Sequence, residues 1–141
     1  MVTTEASATW NGKLAAGDGT VRSPTLDEPY SFAARFEGRD GLKPEELVGA
    51  ALSSCYAMAL AHGLADQGHD PRSVEARARV TFDPDDLAIT TIELAVEGWV
   101  PEIDDDGFRA AAEAAKDGCP VSKALSGVEI SLVDARLAEV G

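Results

Sequence analysis

The chain is predicted to adopt an α+β fold, with sheets wrapped about central helices. Three observations carry this expectation. Apolar and polar residues alternate with period two in segments near both ends of the chain. Two helical stretches interrupt them, one of them apolar around most of its circumference. The order is strands, helix, strands, helix, strand. The chain has 141 residues, which fits a single domain spanning 1–141 at roughly 150 residues per domain.

The first third reads as strands. Glu5-Ala-Ser-Ala-Thr-Trp10 runs into Asn11-Gly12, a strong two-residue hairpin signal. A second strand is expected around Gly19–Ser23 and a third over Tyr30–Phe36, set apart by Pro24 and Pro29. In the third, Tyr30, Phe32, Ala34 and Phe36 alternate with Ser31, Ala33 and Arg35, which places Arg35 on the face with small side chains.

Gly38 to Gly41 breaks this segment, and Pro44 opens a helix that should stop at Gly68. Proline suits the first helical position, and Glu45 and Glu46 complement the helix dipole. A helix this apolar needs cover on several sides, for which a partner subunit is the economical source. After Pro71, Val74, Ala76, Ala78, Val80 and Phe82 alternate with polar residues up to the turn Asp83-Pro-Asp-Asp86. Ile92, Leu94 and Val96 continue the pattern. A second helix begins near Asp104, carries Phe108, Ala111, Ala112 and Ala115, and ends at Gly118. Pro120 starts a short helix, and Val128, Ile130 and Leu132 close the chain as a strand.

Apolar residues make up 45% of the chain and charged residues 26%, a balance that supports a packed core. With 25 acids against 12 bases the formal charge is −13, so no nucleic-acid or anionic-membrane partner is expected. The start, Met1 to Glu5, lacks a basic region followed by an apolar run, and a cytoplasmic location is expected. Leu47 to Ala65 carries no formal charge and approaches the length of a membrane span. Its alanines, Gly49, Ser53, Ser54 and His62 read instead as a helix buried inside a soluble protein.

Two cysteines are too few for a disulfide scaffold. Cys55 lies mid-helix and Cys119 immediately precedes Pro120. Both can be read as buried small hydrophobes or as a redox pair, and their separation in sequence decides neither way. A metal site is disfavoured. Cys55, His62 and His69 recur every seven residues, about 10 Å of helical rise, too far for neighbouring ligands. Local electrostatics nominates Cys119, at a helix start, as the more acidic thiol. Cys55 would need a cation brought against it.

Three segments carry a family likeness: Tyr30-Ser-Phe-Ala-Ala-Arg-Phe-Glu-Gly38, Lys43-Pro-Glu-Glu-Leu-Val-Gly-Ala-Ala51 leading into Ser54-Cys-Tyr56, and Gly118-Cys-Pro-Val-Ser-Lys-Ala-Leu125. Together with Trp10-Asn-Gly12 they resemble the OsmC/Ohr family, the osmotically inducible and organic hydroperoxide resistance proteins. The Cys-Pro-Val-Ser-Lys motif resembles the OsmC branch more than the Ohr branch. Tyr56 departs mildly from the phenylalanine common there.

The resemblance implies an OsmC-like fold, with antiparallel sheets wrapped around two central helices in an intertwined homodimer. It implies a thiol-dependent peroxidase that reduces organic hydroperoxides, and hydrogen peroxide less well. Cys55 matches the peroxidatic cysteine and Cys119 the resolving one. Arg35 matches the arginine that stabilises the thiolate, and Glu45 the carboxylate that holds it, which supplies the cation Cys55 needs and overrules the local preference for Cys119. Leu52, Tyr56 and Met58 would then surround Cys55 with apolar surface. No cofactor or metal is implied, only an external dithiol reductant, for which the family suggests a lipoyl group. Glu45 and Cys55 are ten residues apart, about 15 Å along one helix, so a shared site asks for Glu45 from the other subunit. Two other functions stay open: a thiol-based redox sensor, or a catalytically idle member of the fold binding an apolar ligand between subunits.

Overall fold

The structure, a computed structural model, describes residues 1–139. The chain forms two compact units, Met1–Glu46 and a second from Leu47 onward.

In the first unit, β1 (Ser7–Asn11), β2 (Asp18–Ser23) and β3 (Leu26–Tyr30) form an antiparallel sheet in that order. The β1–β2 hairpin exists, but Asn11 pairs with Asp18, so residues 12–17 form a longer connection than the expected two-residue turn. Lys13 O holds that loop together, accepting from Gly17 N at 2.7 Å and from Trp10 Nε1 at 3.3 Å. Pro24-Thr25 makes the tight turn instead, with Ser23 opposite Leu26. Pro29 lies inside β3, which is an edge of this sheet. A missing N–H is tolerated there.

The expected strand over Tyr30–Phe36 is the main correction. The chain leaves β3 at Tyr30 and forms helix α1 (Phe32–Phe36). Ser31 decides this: its Oγ accepts from Ala34 N at 3.1 Å, an N-cap that closes the first turn. Phe32 and Phe36 then stack one turn apart, their ring centroids 4.7 Å apart. Arg35 therefore projects from a helix and not from a strand face.

Helix α2 (Pro44–Asp66) follows the predicted boundaries closely. Gly68, at φ +87°, stops it, and His69 N bonds back to Leu64 O at 2.9 Å. Gly49, Leu52, Tyr56, Leu60 and Leu64 are buried at three- and four-residue spacing. The opposite side is open, with Met58 75% exposed. By length and composition α2 is long and apolar enough to cross a membrane, and only 28% of its most apolar window is buried. A single chain thus leaves most of that window only partly covered or exposed.

The second unit's sheet has the order β4–β5–β6. Strands β4 (Ser73–Asp83) and β5 (Ala88–Trp99) form the expected antiparallel hairpin, and Asp83 Oδ1 caps its turn by accepting from Asp85 N at 2.9 Å. Strand β6 (Glu129–Leu137) pairs parallel to β5, so this sheet is mixed where antiparallel pairing was expected. The chain between them runs through α3 (Asp105–Gly118) and α4 (Pro120–Ala124). That crossover returns it to the end of the sheet where β5 began.

Asp104 caps α3, its Oδ1 accepting from Gly107 N at 2.7 Å. Phe108 seats α3 on the sheet through a gap left by Gly98, where a Cβ would come within 2.5 Å of the ring. Leu52, Tyr56, Leu60, Ile92, Leu94 and Phe108 form the centre of the core and are all 0% exposed.

Candidate active site

Cys55 stands on α2 one residue before Tyr56, and Cys119 is the hinge residue between α3 and α4. Cys119 N donates to Ala115 O at 3.0 Å and so completes α3, while its carbonyl accepts the first bond of α4, from Lys123 N at 3.0 Å. Pro120 then supplies a first helical residue with no N–H to satisfy. The Tyr56 hydroxyl, fully buried, donates to Ala112 O at 2.8 Å. That bond fixes the Cys55 turn of α2 against the stretch of α3 that leads to Cys119.

The result is a thiol pair 64 residues apart in sequence with Sγ atoms 3.0 Å apart. Both cysteines are free. A covalent bridge needs about 2.05 Å, so closing one is a small movement. Cys55 is partly exposed, whereas Cys119 is buried.

The two thiols titrate differently. Burial pushes Cys55 up, and the shared hydrogen bond with Cys119 and the charge there push it further, against a smaller opposing effect from the Val121 backbone. Burial would also raise Cys119. The bond shared with Cys55, the Ser122 backbone and hydroxyl, and the Val121 backbone outweigh it and hold Cys119 below its ordinary value. Within one chain, then, the first negative charge settles on Cys119, as local electrostatics indicated. The macroscopic titration belongs to the pair.

Arg35 and Glu45 meet in the first unit. Glu45 Oε1 accepts from Arg35 Nε at 3.0 Å and from Nη2 at 2.8 Å. Glu45 is 4% exposed, and its Oε2 is buried with no hydrogen-bond partner. The guanidinium carbon also lies 5.7 Å from the Phe36 ring centroid. Glu45 is thus more than a helix-start acid: its carboxylate fixes the orientation of a guanidinium.

The four predicted residues therefore form two pairs, Arg35 with Glu45 and Cys55 with Cys119. The expected apolar surroundings of Cys55 are redistributed, because Leu52 and Tyr56 belong to the core and Met58 is exposed. His62 lines a cleft of about 380 Å³ with Ala59, Gly63, Gln67 and small residues of α3. No group of three or more His, Cys, Asp or Glu side chains suited to a metal gathers among the described residues. The motif gives Ser122 no role of its own, yet its hydroxyl lies beside Cys119 and favours the thiolate there. The available signal was its place three residues after that cysteine, where a helix-start side chain turns back toward the cap.

A family model described as OsmC-like protein matches residues 37–133. The chain belongs to the OsmC family. It is 43% identical over 130 residues to peroxiredoxin OsmC of Escherichia coli, covering 89% of this chain and 90% of that one. Among solved structures it resembles an organic hydroperoxide resistance protein from Elizabethkingia anophelis, with TM-score 0.77 and 22% identity over 99% of this chain and 98% of that one. It also resembles the organic hydroperoxide resistance protein OhrB of Bacillus subtilis, with TM-score 0.63 and 27% identity over 95% and 98%. The OsmC/Ohr fold expected from the motifs is thereby the fold of this chain.

Proposed function

We propose that this OsmC-family chain is a cysteine-based peroxidase that reduces organic hydroperoxides to alcohols. The observation that carries the reading is the unbridged thiol pair, Sγ to Sγ 3.0 Å, in a chain 43% identical to a peroxiredoxin. Cys55 attacks the terminal peroxide oxygen as a thiolate, the O–O bond breaks, and the alcohol departs. Cys55 becomes a sulfenic acid. Cys119 attacks that sulfur, expels the oxygen as water and closes a disulfide. An external dithiol, of which a lipoyl group is one form, returns both sulfurs to thiols. Hydrogen peroxide is the poorer substrate.

Cys55 is raised within its own chain, so it needs a cation to react. Arg35, oriented by Glu45, is the candidate, acting on the thiolate and on charge developing at the peroxide. The open apolar side of α2 supports a homodimer in which a second copy supplies cover and brings this ion pair to Cys55. Residues 1–141 then work as one domain, since the roles draw on both compact units.

The test mixes reduced protein with cumene hydroperoxide and dihydrolipoamide, beside Cys55→Ser and Cys119→Ser. Turnover that disappears in Cys55→Ser supports the peroxidase. Stoichiometric oxidation without turnover points to a redox sensor, and no oxidation at all to a binding module. Arg35→Ala should displace the pH profile of peroxide oxidation upward, and an unchanged profile argues against its role.

A further inference from the structure

We propose that the reducing dithiol attacks Cys55 Sγ, that Cys119 is the sulfur expelled, and that Ser122 is the positioning residue that receives the departing charge. The inference deepens the peroxidase reading and rests on it.

Access decides which sulfur is attacked. Cys119 is 0% exposed, while Cys55 is partly exposed. A second copy can only cover more surface, so association cannot open a sulfur that one chain already closes off. Peroxide must in any case reach Cys55, and the reductant uses the same opening.

The surroundings of Cys119 decide which sulfur leaves. Thiol–disulfide exchange is faster when the departing sulfur is the more stable anion, and when the attacked sulfur is the accessible one. Ser122 Oγ is buried beside Cys119 and makes no full hydrogen bond in the resting protein. An unpartnered buried hydroxyl is costly in a resting protein, but it becomes useful once a thiolate appears beside it. Its effect on Cys119, together with the Val121 and Ser122 backbone, favours the anion. Within its own chain, Cys55 has only the Val121 backbone acting in that direction.

The step balances as follows. The reductant's first thiolate forms a bond to Cys55 Sγ, and the Cys55–Cys119 bond breaks with its electron pair on Cys119. The reductant's second thiolate then attacks the reductant's own sulfur in the mixed disulfide and expels Cys55. The dithiol loses two electrons and closes its ring, and the protein gains them as two thiolates.

The full-length protein is oxidised with one equivalent of cumene hydroperoxide, freed of excess, exposed briefly to 2-mercaptoethanol and quenched in acid. This monothiol cannot close a ring, so the first adduct persists for peptide mass spectrometry. We expect the adduct on Cys55 and a free Cys119. An adduct on Cys119 at the earliest times overturns this inference while leaving the peroxidase reading standing. Failure of the peroxide to form any disulfide overturns both. Ser122→Ala should slow disulfide reduction by dithiothreitol several-fold and make the Cys119 thiolate form at higher pH, with both effects restored in Ser122→Thr. Wild-type values in Ser122→Ala overturn the role given to Ser122.

Discussion

Replacing Glu45 with glutamine keeps the shape of the side chain and removes its charge. Arg35→Met keeps most of the length of the arginine and removes the guanidinium. A double-mutant cycle on these two changes isolates the energy of the pair. Hydrogen bonds to charged groups are worth roughly 1.5–3 kcal/mol each. Here two bonds, of 3.0 and 2.8 Å, converge on a single oxygen, so they do not add fully. The Arg35 side chain is 35% exposed against 5% for Glu45, and solvent reaches one partner, which lowers the value further. The expected coupling is about 2 kcal/mol, or about 30-fold in an equilibrium constant. Urea denaturation at one fixed protein concentration measures it, since an oligomer's stability depends on concentration. Stopped-flow oxidation of the same variants by cumene hydroperoxide reads the functional side, where Glu45→Gln should slow Cys55 oxidation. A coupling under about 0.5 kcal/mol, the usual value of a solvated surface pair, together with an unchanged oxidation rate, would refute the reasoning.

Tyr56→Phe removes the buried hydroxyl that bonds Ala112 O at 2.8 Å and should cost about 1 kcal/mol of stability. Peroxide turnover should persist, and a neutral result in urea would show that the bond does not tie α2 to α3. Cys55→Ala removes the hydrogen bond that lowers Cys119, so the Cys119 thiolate should form at higher pH by ultraviolet titration. A downward displacement would reverse the assignment of the first charge. Met58→Glu puts a carboxylate on the exposed side of α2. Light scattering should then find a monomer with lost turnover, whereas an intact dimer would place the subunit contact elsewhere.

Much of the fold was legible because local cues acted alone. Pro44 and Gly68 bounded α2, the alternation from Val74 to Phe82 marked β4, and Asp104 announced α3. The stretch after Tyr30 misled because Phe32, Ala34 and Phe36 satisfy an alternating pattern, while Phe32 and Phe36 also sit one helical turn apart. Six residues cannot separate those periods, and a single hydroxyl, Ser31 Oγ on Ala34 N, settled the matter. For β6 the pattern gave the inward face but not the direction, which depends on where α3 and α4 return the chain.

The four candidate residues were named from motifs, and local cues nominated Cys119 as the more acidic thiol before the family resemblance overruled them in favour of Cys55. That was possible because capping, proline placement and local charge act over a few residues. Tertiary structure alone decided that two sulfurs 64 residues apart lie 3.0 Å from each other, and that Arg35 closes on Glu45 from a helix. Those distances come from packing between elements distant along the chain, through contacts such as Tyr56 with Ala112 and Phe108 over Gly98. No spacing in a linear sequence encodes them.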